Sequence, residues 1–242
     1  MNAFNEYSDF RSGLDLHTHR TPFSGGSGSL PAAPGYVSWA LAWAVLSLAL
    51  AVVIGLYFVW LRGWPLALLG GLGVVLVVGY TPWINRFPLL CLLAPGVGFG
   101  AVIVMGSSIA VGGAVSSASV FAALLMAVLV SALLLANQQP DVDVDARFGR
   151  RHIAIVYGSA FARKLLALMW LLPLFILAAG LLNKGLPGVA VFTALPLLLA
   201  GYNAVRLLRL PLDSAMPTGL LASNVVVCLV TPLLLAILLR VA

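Results

Sequence analysis

Acidic residues form two clusters at widely separated places in this chain, and their spacing suggests joint chemistry. The first cluster reads NEYSDFRSGLD over residues 5–15, and the second reads DVDVD over residues 141–145. Together the clusters hold six of the seven acidic residues, and the seventh is Asp213. Mg²⁺ prefers oxygen ligands and completes its shell with water and substrate phosphate. Two such clusters that face each other would form a site for divalent metal and phosphate.

The second cluster has the spacing of a helical ligand pair. Asp141 and Asp145 are four residues apart and would share one face of a helix, whereas Asp143 would point elsewhere. No His or Cys is expected beside this cluster, and ligands that are all oxygen suit Mg²⁺.

The first cluster repeats the same spacing at the start of the chain. Asn5 and Asp9 are also four residues apart and would share a helix face. Gly13 is predicted to end this helix, which would let Asp15 fold back toward the other two side chains. The sequence therefore predicts a metal site built from Asn5, Asp9, Asp15, Asp141 and Asp145.

The composition sets the class of protein that must position these clusters. Of the 242 residues, 62% are hydrophobic and 8% are charged, and the mean hydropathy is +1.10. These values exclude a soluble domain, in which about a quarter of the residues are charged. The apolar runs are continuous rather than alternating, which argues against a β-barrel. We expect an all-α, polytopic bundle of transmembrane helices, and because the basic residues sit in short loops we exclude nucleic-acid binding.

The apolar runs predict seven membrane spans within a single membrane-embedded domain, residues 1–242, whose residues 1–36 form a cytoplasmic segment. The spans are predicted near residues 37–61, 66–84, 88–111, 118–136, 165–183, 186–205 and 219–239. Four spans separate the two acidic clusters, and an even number brings both clusters to the same face of the membrane.

Charge in the loops predicts which face this is. With residues 1–35 inside, ten Lys and Arg residues fall inside and three, Arg62, Lys184 and Arg240, fall outside. This bias indicates that the inside is cytoplasmic. All seven acidic residues also fall inside, although Asp and Glu contribute little to orientation. Their one-sidedness indicates a site on the cytoplasmic face of the cell membrane.

Cationic residues near both clusters could bind phosphate. Arg150, Arg151 and Lys164 follow the second cluster, and Arg20 follows the first. Arginine is a bidentate partner of phosphate, so these residues are candidates for diphosphate binding, while a role as topology signals stays open. For Arg150 and Arg151 we favour both roles. For Arg163 we favour a role in topology alone. Residues 20–36 are rich in Gly, Ser and Pro, and both a flexible linker and an anion-binding loop remain open.

Both clusters resemble motifs of the UbiA superfamily of intramembrane prenyltransferases. Residues 5–15, followed by RTP at 20–22, are similar to the first motif, which in the quinone-pathway branch runs Asn-Asp-x-x-Asp with a further Asp after a Gly. Residues 137–151 match the second motif as NxxPDxxxDxxxGRR, with Gly158 beyond. Two motifs in the right order, with matching spans, make the resemblance cover essentially the whole chain.

The resemblance implies a reaction. In this family an isoprenoid diphosphate binds through Mg²⁺ to the two motifs, an allylic carbocation forms, and it alkylates an electron-rich acceptor. On this basis Asp9, Asp141 and Asp145 would be catalytic, and the acceptor would be an aromatic quinone precursor. A chlorophyllide or a lipid glycerol ether remains open, as does the length of the prenyl chain. Tyr7, Tyr80 and Tyr157 could line the site, although interfacial anchoring is the more common role of such residues.

The chain departs from the family pattern in two respects. Glu6 stands where the family usually has Asp, which keeps the charge and lengthens the arm. The family has nine spans, and here the motif begins at residue 5 with seven spans after it, so we expect the first two helices to be missing from this sequence. Two alternatives therefore remain: a catalytically inactive membrane subunit, and a divalent-cation transporter, which the lack of charge inside the spans disfavours.

Overall fold

The computed structural model of the protein describes residues 2–18, 20–212 and 214–241. Within these ranges all regular structure is helical, apart from one isolated β-bridge between Thr21 and Ser24. Six helices are long and apolar enough to cross a bilayer. The predicted all-α, multi-pass membrane architecture is therefore confirmed. The predicted cytoplasmic placement of Asp213 lies outside the described residues.

The α-helices are numbered here in chain order. They are α1 (Asn2–Ser12), α2 (Leu14–His17), α3 (Ser29–Ala32), α4 (Val37–Arg62), α5 (Trp64–Gly79), α6 (Pro88–Val97), α7 (Gly106–Ala110), α8 (Ser117–Asn137), α9 (Val142–Arg147), α10 (Ile153–Tyr157), α11 (Ser159–Leu182), α12 (Ala194–Leu208) and α13 (Thr218–Val241). A π-helical stretch, Gly98–Met105, joins α6 to α7 into one long helix, and a 3₁₀-helix, Gly188–Thr193, leads directly into α12.

The second predicted span is shorter than expected. It was predicted over residues 66–84, but α5 has 16 residues and ends at Gly79. At about 1.5 Å per residue it covers roughly 24 Å, less than the hydrocarbon thickness of about 30 Å. The approach of Pro82 accounts for the early end, because the residue before a proline is disfavoured in the helical conformation. Seven full-length spans are thus reduced to six and one shorter apolar helix.

Although α5 is short, it returns the chain to the end of the bundle at which α4 begins. The C-terminal end of α4 is fixed by Arg62, whose Nε donates to the Ala110 carbonyl oxygen at 3.0 Å. The C-terminal end of α5 lies at the opposite end of the bundle, beside the N-terminal segment, because the Thr81 hydroxyl donates to Asn5 Oδ1. The even number of crossings between the two acidic clusters is therefore retained, and both clusters lie at one end of the bundle.

The best-buried part of the bundle is formed by α8, α11, α12 and α13. Trp170 of α11 is fully buried, and its indole N–H donates to Asn224 Oδ1 of α13 at 2.8 Å. Such a bond inside an apolar bundle satisfies polar groups that the bilayer could not. Arg163, interpreted above as a topology signal, is instead buried and donates to the carbonyl oxygens of Pro211 (2.6 Å) and Ser214. By contrast, only 6% of the most apolar stretch of α4 is buried, against 33–39% in the other long helices.

Glycines allow the α6 side of the bundle to approach α8 very closely. A Cβ at Gly96 would overlap the Ala127 carbonyl oxygen and Ser131 Oγ, and a Cβ at Gly100 would overlap the Ala123 carbonyl oxygen. The three α8 positions are four residues apart and lie on one face. Small residues at such contacts are the usual means of close helix packing in membranes. This contact matters for the site because α6 begins, and α8 ends, beside the acidic clusters.

We predict that Gly96→Ala lowers the stability of the protein by about 1–3 kcal/mol, because an overpacked core must shift backbone. The matched control is Gly70→Ala in α5, where a Cβ would meet no atom within 4 Å. Thermal unfolding in detergent, followed by circular dichroism, measures both variants. Equal melting temperatures for the two would contradict the close approach of α6 to α8.

Candidate functional site

The two acidic clusters meet in one pocket of about 260 Å³ at the end of the bundle. Asn5 and Asp9 reach it from α1, and Asp141 and Asp145 reach it from the start of α9. The predicted helical spacing thus places both pairs on pocket-facing sides. Asp143 is exposed and does not line the pocket, as the helical spacing predicts.

Arg150 joins the two clusters. Its Nη2 lies 2.6 Å from Asp9 Oδ2, and its Nη1 donates to Asp145 Oδ1 at 3.1 Å. Asp145 is almost fully buried, whereas about a quarter of the Arg150 side chain is exposed. Burial lowers the pKa of Arg150, but the carboxylates of Asp145 and Asp9 outweigh it and raise the pKa overall. The guanidinium therefore stays charged and forks between carboxylates that are 136 residues apart in sequence.

His152 is a site residue that the sequence interpretation missed. It is 1% exposed, and its Nε2 lies 3.3 Å from Asp145 Oδ2. The expectation that no His lies beside the second cluster was therefore wrong. The local backbone explains the arrangement, because residues 150–152 are not helical and alternate residues point to opposite sides. Arg150 and His152 face the pocket, and Arg151 between them faces solvent.

The predicted diphosphate-binding residues divide into two groups. Arg150 lines the pocket, whereas Arg20, Arg151 and Lys164 are exposed and lie outside its lining. Arg20 donates to the Asp15 carbonyl oxygen at 3.2 Å, and the Arg151 backbone N–H donates to the Asn85 carbonyl oxygen at 3.0 Å. Sequence proximity to the motifs identified these cations, but the direction of each side chain depends on the backbone around it.

Asp15 is close to the pocket but does not line it. Gly13 separates α1 from α2 with a φ of 84°, so the predicted end of the first helix is present. The chain then turns back and buries Asp15 to 4% exposure. Its Oδ1 lies beneath the glycine-rich loop, 3.1 Å from where a Cβ of Gly26 would be. Its other oxygen, Oδ2, is buried and has no hydrogen-bond partner among the described residues.

Burial raises the pKa of three carboxyl groups at the site, those of Asp9, Asp15 and Asp141. Burial, followed by repulsion from Asp9 and Glu6, raises the pKa of Asp15 to about 6. Burial, followed by repulsion from Asp145, raises the pKa of Asp141 to about 6. The pKa of Asp9 is also raised by burial, although Arg150 opposes the rise. One arginine therefore does not neutralise these carboxylates, and an added cation would stabilise their charged forms.

The donors in the pocket fit Mg²⁺ by their chemistry. Within the part of the chain that the structure describes, no three His, Cys, Asp or Glu side chains converge closely enough to enclose an ion. Mg²⁺ does not need such a cage, since it usually binds one or two carboxylates and fills its shell with water and phosphate. Asn137 Oδ1 also points into this region, buried and without a hydrogen-bond partner. The unpaired oxygens and the raised carboxyl pKa values both favour a bound cation.

The glycine-rich loop is pinned over the pocket rather than extended as a linker. Ser24, Gly25 and Gly26 form part of the pocket wall. Glu6 accepts hydrogen bonds from the Ser27 backbone N–H at 2.9 Å and from Ser27 Oγ at 2.8 Å. Gly25 and Gly26 both have positive φ angles, which explains why glycine is needed there. Anion binding by this loop stays a prediction.

The other residues of the pocket include one of the tyrosines considered above and several that were not assigned to the site. Tyr80 is 8% exposed and lines the pocket, whereas Tyr157 is exposed and does not. The amide side chain of Gln138 donates to Cys91 Sγ at 3.3 Å. Asn137 and Gln138 could have been suspected, because three amides follow a long apolar run. Nothing in the sequence indicates that Asn85 or Cys91 lies beside them.

The profile of the UbiA prenyltransferase family matches residues 1–239. A 1,4-dihydroxy-2-naphthoate octaprenyltransferase from Bacillus subtilis (strain 168) is 31% identical over 176 residues. The match covers 69% of this chain and 53% of that protein, so the chain spans about half the length of the curated relative. No solved structure matches the chain.

We predict that Arg150→Met destabilises the protein by roughly 1–3 kcal/mol, because it leaves carboxylates that are partly or fully buried without their cation. Arg151→Met, at the exposed neighbouring position, should change the melting temperature little. Adding Asp145→Asn to Arg150→Met should recover part of the loss, since one unpaired charge is removed. Strictly additive losses in this double-mutant cycle would contradict the bridge.

Proposed function

Because the chain belongs to the UbiA prenyltransferase family, we propose that it transfers a prenyl group from an isoprenoid diphosphate to an aromatic acceptor in the membrane. The observation that carries the proposal is the meeting of both acidic clusters in one pocket at the end of an apolar helix bundle. A diphosphate needs cations and oxygen ligands, and a prenyl tail needs apolar surroundings. This pocket lies where the two environments join.

We propose that the acceptor is a naphthoate-type quinone precursor. The B. subtilis relative is named for octaprenyl transfer to 1,4-dihydroxy-2-naphthoate. The first motif of this chain also resembles the quinone-pathway branch. These two arguments favour a naphthoate over the chlorophyllide and glycerol-ether acceptors used by other members of the superfamily. The length of the prenyl chain stays open.

The residues of the pocket divide the work of the proposed reaction. Asn5, Asp9, Asp141 and Asp145 would hold Mg²⁺, which when bound stabilises the charge of the departing diphosphate. Arg150 supplies a second, permanent positive charge at the same place. Arg150 donates to Asp145 Oδ1, and the buried His152 Nε2 lies 3.3 Å from Asp145 Oδ2, so the two side chains flank this carboxylate. Asp15 adds negative charge beneath the loop without entering the pocket wall.

The surrounding residues would protect an allylic carbocation from water. Tyr80, Cys91 and Leu134 line the inner side of the pocket, where α6 and α8 approach each other. Tyr80 and Cys91 are buried, and their side chains contact each other at 3.6 Å. An aromatic face and an apolar helix exclude water and leave the carbocation to react with the acceptor ring. We place this pocket on the cytoplasmic face of the cell membrane, on the basis of the distribution of Lys and Arg in the loops.

The proposal is tested with the purified protein in detergent, supplied with an isoprenoid diphosphate, 1,4-dihydroxy-2-naphthoate and Mg²⁺. Asp141→Asn and Asp145→Asn should each abolish transfer, because each removes a charged metal ligand from the pocket. The control is Asp143→Asn, which changes an exposed carboxylate on the same helix and should keep normal turnover. Formation of prenylated product is followed by chromatography. Normal turnover in either pocket variant would contradict the assignment, and no turnover in the unaltered protein would favour an inactive subunit.

Removal of divalent metal provides a second prediction. We expect that a chelator stops diphosphate release and that excess Mg²⁺ restores it. Ca²⁺ should restore it poorly, because it is larger and prefers more ligands at longer distances than Mg²⁺. Diphosphate is measured with a coupled phosphate assay on the chelated and reconstituted protein. Full activity after exhaustive chelation would show that the carboxylates serve another purpose.

A further inference from the structure

We infer that Glu6 is a positioning residue that anchors the glycine-rich loop over the pocket, and that it is not a metal ligand. The inference rests on the proposed function, since the pocket is taken to be the diphosphate site. Glu6 stands in the first acidic motif, at the position where the family usually has Asp. In the structure Glu6 lines the edge of the pocket and accepts hydrogen bonds from Ser27 of the loop.

Both oxygens of Glu6 are occupied by one residue of the loop. Oε1 accepts from the Ser27 backbone N–H at 2.9 Å, and Oε2 accepts from Ser27 Oγ at 2.8 Å. The two residues are 21 positions apart, so the contact closes a long loop onto α1. The Ser29 backbone N–H donates to Ser27 Oγ at 3.1 Å, and Ser29 Oγ lies 2.9 Å from Ser27 Oγ. Ser29 therefore fixes the Ser27 side chain on the side opposite Glu6.

The anchored loop touches both acidic clusters. Gly26, whose φ is +71°, passes over Asp15, and a Cβ there would lie 3.1 Å from Asp15 Oδ1 and 3.7 Å from Glu6 Oε1. Ser24 and Gly25 line the pocket together with Asp141 and Asp145 of the second cluster. The loop is therefore held at Ser27 by the first cluster and faces the second cluster at Ser24 and Gly25. Release of Ser27 would free this wall of the proposed diphosphate pocket.

The longer arm of Glu explains the departure from the family residue. Asp at position 6 would withdraw the carboxylate by one methylene, and Ser27 would lose at least one of its two bonds. If Glu6 were a metal ligand, Glu6→Asp, which keeps the charge, would be tolerated better than Glu6→Gln, which removes it. If Glu6 is an anchor, Glu6→Gln should be tolerated better, because Gln has the length of Glu and can accept the Ser27 N–H. The Gln amide can also donate to Ser27 Oγ, whose own proton then goes to Ser29 Oγ.

Two readouts test the anchor on the full chain. Hydrogen exchange of the backbone N–H groups of residues 25–28 reports the loop without any catalysis. Glu6→Ala and Glu6→Asp should speed this exchange about tenfold, while Glu6→Gln should leave it near the original rate. In turnover assays the first two should raise the KM for the isoprenoid diphosphate by about three- to tenfold, with the Mg²⁺ concentration for half-maximal rate unchanged.

Ser27→Ala is the matched partner variant. It removes the hydroxyl bond and keeps the backbone bond, so its effect on exchange should be smaller than that of Glu6→Ala. Combined with Glu6→Ala it should add little, because the shared contact is already lost.

The opposite ranking of the variants would overturn the inference. If Glu6→Gln raises the Mg²⁺ requirement as much as Glu6→Ala while Glu6→Asp does not, Glu6 is a metal ligand. If Glu6→Ala leaves the exchange of residues 25–28 unchanged, the anchor is absent even when turnover is normal. Faster exchange in a chain that shows no turnover would keep the anchor and refute the proposed function instead.

Discussion

The site depends on a single arginine placed between two carboxylates. Arg150 contacts Asp9 of α1 and Asp145 of α9, and no other ion pair between Lys or Arg and a carboxylate occurs in the described parts of the chain. Without a cation, the like charges of the two clusters would repel each other in surroundings that burial makes less polar than water. The arginine therefore holds the N-terminal segment against the α9 region and makes one pocket from two motifs.

The arginine does not complete the charge balance of the pocket. Asp15 and Asp141 keep pKa values raised to about 6, because each is buried and near another carboxylate. Excess negative charge of this kind would attract a divalent cation, and the bound cation would in turn attract phosphate. The same excess of negative charge favours the inferred anchoring of the glycine-rich loop, since backbone N–H groups and serine hydroxyls can donate to carboxylates that lack other partners. Arg150 thus binds Asp9 and Asp145, the loop binds Glu6, and the metal of the proposed function would act on the neighbouring carboxylates.

The helix bundle supports the pocket unevenly. The helices α6 and α8 pack closely at its inner side, partly through Gly96 and Gly100, whereas α4 is mostly exposed. The segment that carries Asn5, Glu6 and Asp9 is fixed by α4 on one side and by polar contacts on the other. Those polar contacts are the Asn5 bond to Thr81, the Glu6 bonds to Ser27 and the Asp9 pair with Arg150. The first motif therefore depends on long-range polar contacts more than the second motif does.

The sequence by itself determined the helices, the pairing of ligand positions and the end of the bundle at which they lie. Apolar length, helical spacing and the even number of crossings are local or additive properties, so Asp9 and Asp145 could be assigned to one site from the printed residues. The sequence alone could not determine that Arg150 faces the pocket while Arg151 and Lys164 do not. Nor could it determine that His152 lies beside Asp145 or that Glu6 binds Ser27. Each of these depends on contacts between segments far apart in the chain, and on a short non-helical stretch whose direction only packing fixes. The tertiary structure decided them, because burial and pairing of a charge depend on the groups that folding brings beside it.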